Sequence, residues 1–256
     1  MDLSTIPFVS TILDGLAGFV AATGAALEPF TGSWAPLFAI VVLTVLVRLL
    51  LLPVGVSQVR AERTRRRLAP ELAGLRKRYA GRPEELNRAL VELYQRHGTS
   101  PVAGCLPLLA QAPVVSAVYA LFVHQDIAGH ANALLAAVVG GVPLGSNLFQ
   151  LIGTTVTAVW PFLVVLLLLG LAIELTRRAS VRWTAVPQES VEARTPVPAG
   201  TAAIGPVMRW LPFLSVGFAT IVPFAAAVYL ATSALWTVAE RAILRRVIRD
   251  PYAPAV

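Results

Sequence analysis

One charged side chain, Arg48, lies inside an otherwise apolar stretch, and it is the residue best placed to support chemistry. The other 20 of the 21 Lys and Arg residues lie within 60–96, 177–209 and 241–249. An ionisable group inside a membrane-spanning segment costs roughly 2.5–3.5 kcal/mol or more and usually marks a functional site. A guanidinium there could bind a carboxylate or line a hydrated cavity. The plainer alternative is that the long side chain reaches the membrane surface.

Two uncharged polar residues accompany Arg48. Thr44 lies four residues earlier on the same helical face, and Gln111 lies midway along a second apolar stretch. Together with Arg48 they predict a hydrophilic lining between helices. For Thr44, a hydrogen bond to the local backbone is an equal alternative. For Gln111, an equal alternative is a polar contact that joins two helices. No Asp or Glu lies inside an apolar stretch, and Glu174 and Glu240 lie only at the ends of such stretches.

The sequence contains no recognisable constellation for enzymatic catalysis. No His shares an apolar stretch with a Ser or Cys nucleophile, and the motifs G-x-S-x-G and H-E-x-x-H do not occur. There is also no Gly-rich phosphate loop. We therefore expect a protein that is not an enzyme and that uses neither a cofactor nor a metal.

The composition indicates a membrane protein. Of the 256 residues, 56% are hydrophobic and only 14% are charged, and the formal net charge is +7. The basic residues lie beside apolar stretches, which favours cytoplasmic loops near anionic headgroups over nucleic-acid binding. Residues 1–47 contain no Lys or Arg. We therefore expect no cleavable signal peptide and an N-terminus outside the cell.

The last apolar stretch, residues 210–239, decides the expected number of spans. As one straight helix it would be about 45 Å long, well beyond a hydrocarbon core of about 30 Å. It would also place the basic residues that follow it outside, against the positive-inside rule. Dividing the stretch near Pro223 puts both basic ends inside. The predicted fold class is therefore all-α and polytopic, with five transmembrane helices and a cytoplasmic C-terminus.

A segment order follows from this topology. Residues 57–100 contain 11 basic and 5 acidic residues together with two leucine stripes, which predicts a helical hairpin. The expected segments are an external amphipathic helix and lead-in (1–34), transmembrane helix one (35–56), the cytoplasmic helical hairpin (57–102), transmembrane helix two (103–123), an external loop (124–155), transmembrane helix three (156–175), a cytoplasmic loop (176–207), transmembrane helix four (208–220), transmembrane helix five (222–242) and a cytoplasmic tail (243–256). An additional, weakly apolar span is the alternative for the first segment.

From about residue 30 to 245 the chain resembles the YidC/Oxa/Alb membrane-protein insertases. The resemblance is carried by VVLTVLVRLLLLPV, by the charged hairpin after it, by HGTSPVAGCLPLLAQAPVVSAVY and by MRWLPFLSVGFATIVPFAAAVYLATSALW. The step Gly104-Cys105-Leu106-Pro107 and the order Gln111-x-Pro113…Tyr119 fall at the family's spacing. A chain without a large external domain is similar to the short form found in Gram-positive bacteria.

This resemblance implies five helices around a hydrophilic groove that opens to the cytoplasm and sideways to lipid and is closed outside. Arg48 would be the groove's arginine, Thr44 and Gln111 would lie on the lining, and Tyr229 would be the substrate-facing aromatic residue. The family moves hydrophilic tails of nascent membrane proteins through the groove and releases their apolar helices into lipid.

The same resemblance implies a bacterial plasma-membrane location. The implied partners are nascent membrane proteins and anionic lipids, with the ribosome and the Sec translocon as further candidates and no specific nucleic acid. A small-solute transporter or channel is the alternative function, although no inverted repeat supports it.

Four positions depart from the family's pattern. Leu230 takes the place of a second aromatic residue, Ala225 the place of a Gly, and Ser100 and Ala234 the places of Asn. Three of the four lie in the last predicted span. They therefore weaken the expected contacts of that span more than the role of Arg48.

Overall fold

The computed structural model describes residues 7–98, 116–117, 119–123, 126–127, 130–154, 156–183 and 210–248. Most of these residues are helical. Gln111, one of the predicted groove residues, lies outside the described part of the chain, as does most of predicted transmembrane helix two.

The described helices and strands follow one another in a simple order. The helices are α1 (Pro7–Thr31), α2 (Ala35–Leu50), α3 (Leu52–Arg78), α4 (Pro83–Arg96), α5 (Ala133–Ala136), α6 (Leu148–Thr154), α7 (Trp160–Trp183), α8 (Leu214–Ala219) and α9 (Phe224–Val247). Short 3-10 turns lie at Gly32–Trp34, Val156–Ala158 and Leu211–Phe213. Two small antiparallel hairpins are formed by β1 (Asp126–Ile127) with β2 (His130–Ala131) and by β3 (Val138–Val139) with β4 (Val142–Pro143).

Glycine and proline set several helix boundaries. Gly32 has a φ of 55°, a conformation that favours glycine, and it ends α1 ahead of α2. Pro53 lies in the first turn of α3 and Pro83 in that of α4, where a missing N–H costs no hydrogen bond. Pro223, with a ψ of 150°, separates α8 from α9. The first predicted span, 35–56, covers α2 and the first residues of α3.

Helix α9 lies at the centre of the apolar core and packs against α2 and α7. Its residues Ala225, Ala226 and Ala227 are fully buried, and small side chains allow neighbouring helices to approach closely. Phe162 of α7 packs against Phe224 of α9 with ring centroids 5.1 Å apart. The start of α9 is thereby held between two other helices.

Helix α1 packs against α2, and it also contacts β1 and α5. Leu13 and Val20 are buried in the same core as Leu43 of α2. Most of the other described side chains of α1 are exposed or partly exposed. One narrow face of α1 therefore attaches it to the rest of the protein.

Helices α3 and α4 pack against each other around the turn at residues 79–82. Leu68 and Leu93, one from each leucine stripe, are both buried. Glu84 and Glu85 lie in the first turn of α4, where negative charge complements the helix dipole. Each stripe thus contributes a buried leucine to the hairpin.

Two helical stretches of the described residues, Leu13–Leu50 and Val156–Ser180, are long and apolar enough to cross a membrane. One face of α7 exposes large apolar side chains at helical spacing, and contact with lipid accounts for such a face better than contact with water. The exposed side chains of that face are Trp160, Leu163, Val164, Leu167, Leu168, Leu171 and Leu175. The fold is that of an all-α membrane protein, and the count of five spans stays a prediction.

Candidate functional site

Thr44 and Arg48 lie one turn apart on α2, but they differ in their surroundings. Thr44 is fully buried, and its hydroxyl donates a hydrogen bond of 2.7 Å to the carbonyl oxygen of Ile40 in the preceding turn. This local bond matches the backbone interpretation of Thr44. The hydroxyl oxygen still has lone pairs that can accept a hydrogen bond from a neighbour.

Arg48 is partly buried on α2, the helix that packs against α9. Tyr229 and Glu240, which both belong to α9, lie within electrostatic range of its charge. Among the residues that the structure describes, no carboxylate lies within 4.0 Å of it as a salt-bridge partner. Arg48 is therefore close to α9, at more than salt-bridge distance from any described carboxylate.

Four side chains of α9 form the opposing surface. Tyr229, Ser233, Trp236 and Glu240 recur at i, i+4, i+7 and i+11, which places them on one face of the helix. Tyr229 and Ser233 are buried, whereas Trp236 and Glu240 are partly buried. We call this row the polar face of α9. This face is more exposed and more polar towards the C-terminal end of α9, beyond residue 236, than at its start.

Tyr229 is held by another aromatic side chain. Its ring centroid lies 5.8 Å from that of Phe122, and the two planes are tilted by 40°. Both residues are nearly inaccessible to solvent. A tilted aromatic pair of this kind contributes about 0.5–1.5 kcal/mol beyond the burial of its surface. Tyr229 therefore has a structural role in addition to the one that the resemblance implies.

Glu240 is fixed by contacts on two helices. The indole Nε1 of Trp236 donates a hydrogen bond of 2.8 Å to Glu240 Oε2. On α3, Gly55 lies so close that a Cβ added to it would overlap Glu240 Oε1. From the sequence, Glu240 is expected only at the end of an apolar stretch, with no link to Arg48. The spacing of the polar face is the signal that connects it with Tyr229.

Beyond this site, α3 is tied to the end of α9 by a cluster of charged residues. Arg245 donates to Glu62 at 2.9 Å, and Arg63 donates to the backbone carbonyl of Arg245 at 2.9 Å. Partial burial lowers the pKa of Arg66, Glu62 opposes that shift, and Arg245 and Arg63 add to it. The hairpin of α3 and α4 is thereby attached to the helix that carries the polar face.

At the opposite end, the segment between β3 and α6 covers the start of α9. The backbone N–H groups of Phe224 and Ala225 donate to the carbonyl oxygens of Ser146 and Leu144, each at 2.9 Å. These bonds satisfy two of the N–H groups that an α-helix leaves free at its start. Val139, Val142 and Leu144 of this segment are completely buried, which closes that end of the core.

Metal ligation is not indicated by the described residues. They include no group of three or more His, Cys, Asp or Glu side chains that could hold an ion. The charged and polar groups of the site are instead arranged as one cation on α2 opposite a row of polar side chains on α9. Such an arrangement can bind a polar or acidic segment without forming a covalent bond.

The chain is similar to several curated bacterial membrane proteins. The membrane protein insertase YidC of Clostridium perfringens is 37% identical over 111 residues, which are 43% of this chain and 45% of that protein. The membrane protein insertase YidC of Campylobacter jejuni subsp. jejuni is 37% identical over 98 residues, 38% of this chain and 18% of that protein. The chain therefore spans less than half the length of these curated relatives.

A family model described as 60Kd inner membrane protein matches residues 26–251. That match extends over most of the chain, from the end of α1 to beyond the end of α9. It therefore includes Arg48 and the polar face of α9. The chain thus belongs to the 60Kd inner membrane protein family, which confirms its resemblance to the YidC/Oxa/Alb insertases.

Proposed function

We propose that this chain is a membrane protein insertase and chaperone. It moves hydrophilic tails of nascent membrane proteins through a groove and releases their apolar helices into lipid. The observation that carries the proposal is the partly buried Arg48, which lies within electrostatic range of two residues of the polar face of α9. A cation inside a membrane-spanning segment is energetically costly, so it is expected to serve a function.

The proposed topology has five spans in the plasma membrane of a bacterium, with the N-terminus outside and the C-terminus in the cytoplasm. The distribution of Lys and Arg supports it, because 20 of the 21 lie in three stretches that this topology places inside. The exposed apolar face of α7 supports contact with lipid. The α3–α4 hairpin would then project into the cytoplasm.

Arg48, Thr44, Gln111 and Tyr229 are the proposed residues of the groove. Arg48 on α2 lies within electrostatic range of Tyr229 on α9, which supports a groove between these two helices. The hydrogen bonds from the start of α9 to Ser146 and Leu144 support closure at the outer end. The groove would open at the other end, where the polar face of α9 is only partly buried.

The mechanism follows from the cost of moving polar groups through lipid. Each polar group without a hydrogen bond in the hydrocarbon region costs several kcal/mol. A hydrated groove reaching from the cytoplasm into the inner leaflet shortens the apolar path that a hydrophilic tail must cross. Arg48 offers an acidic tail a transient partner, since the attraction between charges is stronger in a medium of low dielectric constant.

The apolar helix of the substrate would leave the groove sideways, along the first and last spans. Its transfer into lipid is favourable because it removes apolar surface from water. Insertion by this route needs neither a nucleotide nor covalent chemistry, so the protein would act without being an enzyme. Nascent membrane proteins are the proposed partners. The basic hairpin is the proposed contact for anionic lipid, the ribosome or the Sec translocon.

Insertion into liposomes tests the proposal. Purified chain would be reconstituted and offered two single-span reporters that differ only in whether the translocated tail is acidic or neutral. We expect Arg48→Ala to reduce insertion of the acidic-tail reporter at least fivefold and to affect the neutral one less. Arg60→Ala, at an exposed position of α3, is the control and should retain insertion. Equal insertion by the Arg48→Ala variant and the unmodified chain would exclude the proposed role of Arg48.

A further inference from the structure

Glu240 lies within electrostatic range of Arg48, and its position is unusual for a carboxylate. It belongs to the polar face of α9, where it is only partly exposed. Besides Arg48, Arg241 also acts on it electrostatically. A carboxylate on a surface helix is normally free to turn towards water. Glu240 instead points towards α3.

The place that Glu240 occupies exists because residue 55 has no side chain. A Cβ at Gly55 would overlap Glu240 Oε1 and would approach its Cδ to 2.8 Å. Any other residue at position 55 would displace the carboxylate from α3. Trp236 holds the second oxygen, Oε2, through its indole N–H at 2.8 Å. The two contacts fix both oxygens, so the orientation of the carboxylate is built into the fold.

The same contacts fix the distance of the carboxylate from Arg48. Gly55 follows Arg48 by seven residues, about two helical turns, with Leu51 separating α2 from α3 between them. Gly55 contacts Glu240 of α9, and α2, which carries Arg48, also packs against α9. Arg48 is thus within electrostatic range of both Tyr229 and Glu240 of the polar face.

We propose that Glu240, held against Gly55, is a specificity-determining residue that acts as the resident counter-charge of Arg48. This inference rests on the proposed insertase function. With Glu240 in place, the charge of Arg48 is partly compensated, so polar tails of either sign can enter the groove. An acidic tail must compete with Glu240 for the guanidinium. Without Glu240 the groove carries an uncompensated cation, which attracts acidic tails and repels basic ones.

The test measures insertion as a function of tail charge. The reconstituted chain would be offered three single-span reporters whose tails are identical except for two Asp, two Asn or two Lys residues. The readout is the ratio of acidic-tail to basic-tail insertion. We expect Glu240→Gln to raise this ratio at least fivefold. Damage to the fold alone would lower insertion of all three reporters and leave the ratio unchanged.

Gly55→Ala provides an independent variant that keeps the carboxylate and only moves it. We expect Gly55→Ala to raise the ratio in the same direction as Glu240→Gln, and the double variant to match Glu240→Gln alone. Gly74→Ala is the matched control, because Gly74 lies on the same helix and a Cβ there meets no atom within 4 Å. The control should leave the ratio unchanged.

The results separate this inference from the function on which it rests. A ratio within twofold of the unmodified chain for both Glu240→Gln and Gly55→Ala would overturn the role of Glu240, even if the unmodified chain inserts all three reporters. Failure of the unmodified chain to insert any reporter would overturn the insertase proposal, and this inference with it.

Discussion

Arg245 and Glu62 form a salt bridge of 2.9 Å between residues 183 positions apart in the chain. The Arg245 side chain is 5% exposed and that of Glu62 is 33% exposed, so the pair is largely shielded from water. The bridge joins α3, the first helix of the charged hairpin, to the last turn of α9. Movement of the hairpin is therefore coupled to the helix that carries the polar face.

Removing the acid of this pair should weaken the attachment of α3. Because Arg245 is buried, Glu62→Gln leaves it without its carboxylate partner, and we expect a loss of about 1–3 kcal/mol of stability. The thermal unfolding midpoint in detergent measures the change. Glu85→Gln is the control, since its bridge to Arg82 is exposed and such pairs contribute about 0–1 kcal/mol. Equal midpoints for the two variants would contradict a structural role for the buried pair.

The turn between β3 and β4 should not tolerate a side chain at Gly140. This residue has a φ of +58°, and a Cβ there would lie 3.1 Å from Trp34 and 3.3 Å from Pro161. Left-handed backbone costs a residue with a Cβ roughly 1–2 kcal/mol, so Gly140→Ala should destabilise the protein by at least that amount. Gly153→Ala, on α6 with open space around it, should be neutral or slightly stabilising. Thermal unfolding of both variants checks this difference.

Tyr229 allows its packing role to be separated from its proposed contact with substrate. Tyr229→Phe keeps the ring against Phe122, so we expect stability within about 1 kcal/mol of the unmodified chain. Tyr229→Ala removes the ring from a buried site and should cost about 3–5 kcal/mol. Unfolding midpoints give the two stabilities, and crosslinking of a stalled reporter at this position reports on the substrate path. A destabilised Tyr229→Phe variant would show that the hydroxyl, and not the ring, makes the main contribution of Tyr229 to stability.

The attachment of α1 depends on its buried face. Leu13 is 1% exposed, and we expect Leu13→Ala to cost about 2–5 kcal/mol because it leaves a cavity against the core. Leu46→Ala on α2 is the control, since Leu46 is 45% exposed and its truncation leaves no enclosed cavity. Limited proteolysis within α1, together with the unfolding midpoint, measures the effect. Protease resistance unchanged by Leu13→Ala would indicate that α1 is held by other contacts.

The sequence alone was sufficient for the family and for the helical character of the chain, and it singled out Arg48 as a candidate site residue. These properties depend on the type and order of neighbouring residues, namely an apolar run, a cluster of basic residues or a proline at a helix start. A charge inside an apolar run is visible without knowledge of its partner. For the same reason the sequence left two interpretations of Thr44 open, and the structure shows its hydroxyl bound to the carbonyl of Ile40.

Only the tertiary structure decided which side chains meet. It brought Glu240 into the space beside Gly55, and it joined Glu62 to Arg245. Each of these contacts depends on the rotation of two helices about their axes and on how closely their backbones approach. Those quantities are set by the packing of the whole core, including the buried alanines at the start of α9, and no local pattern of residues specifies them.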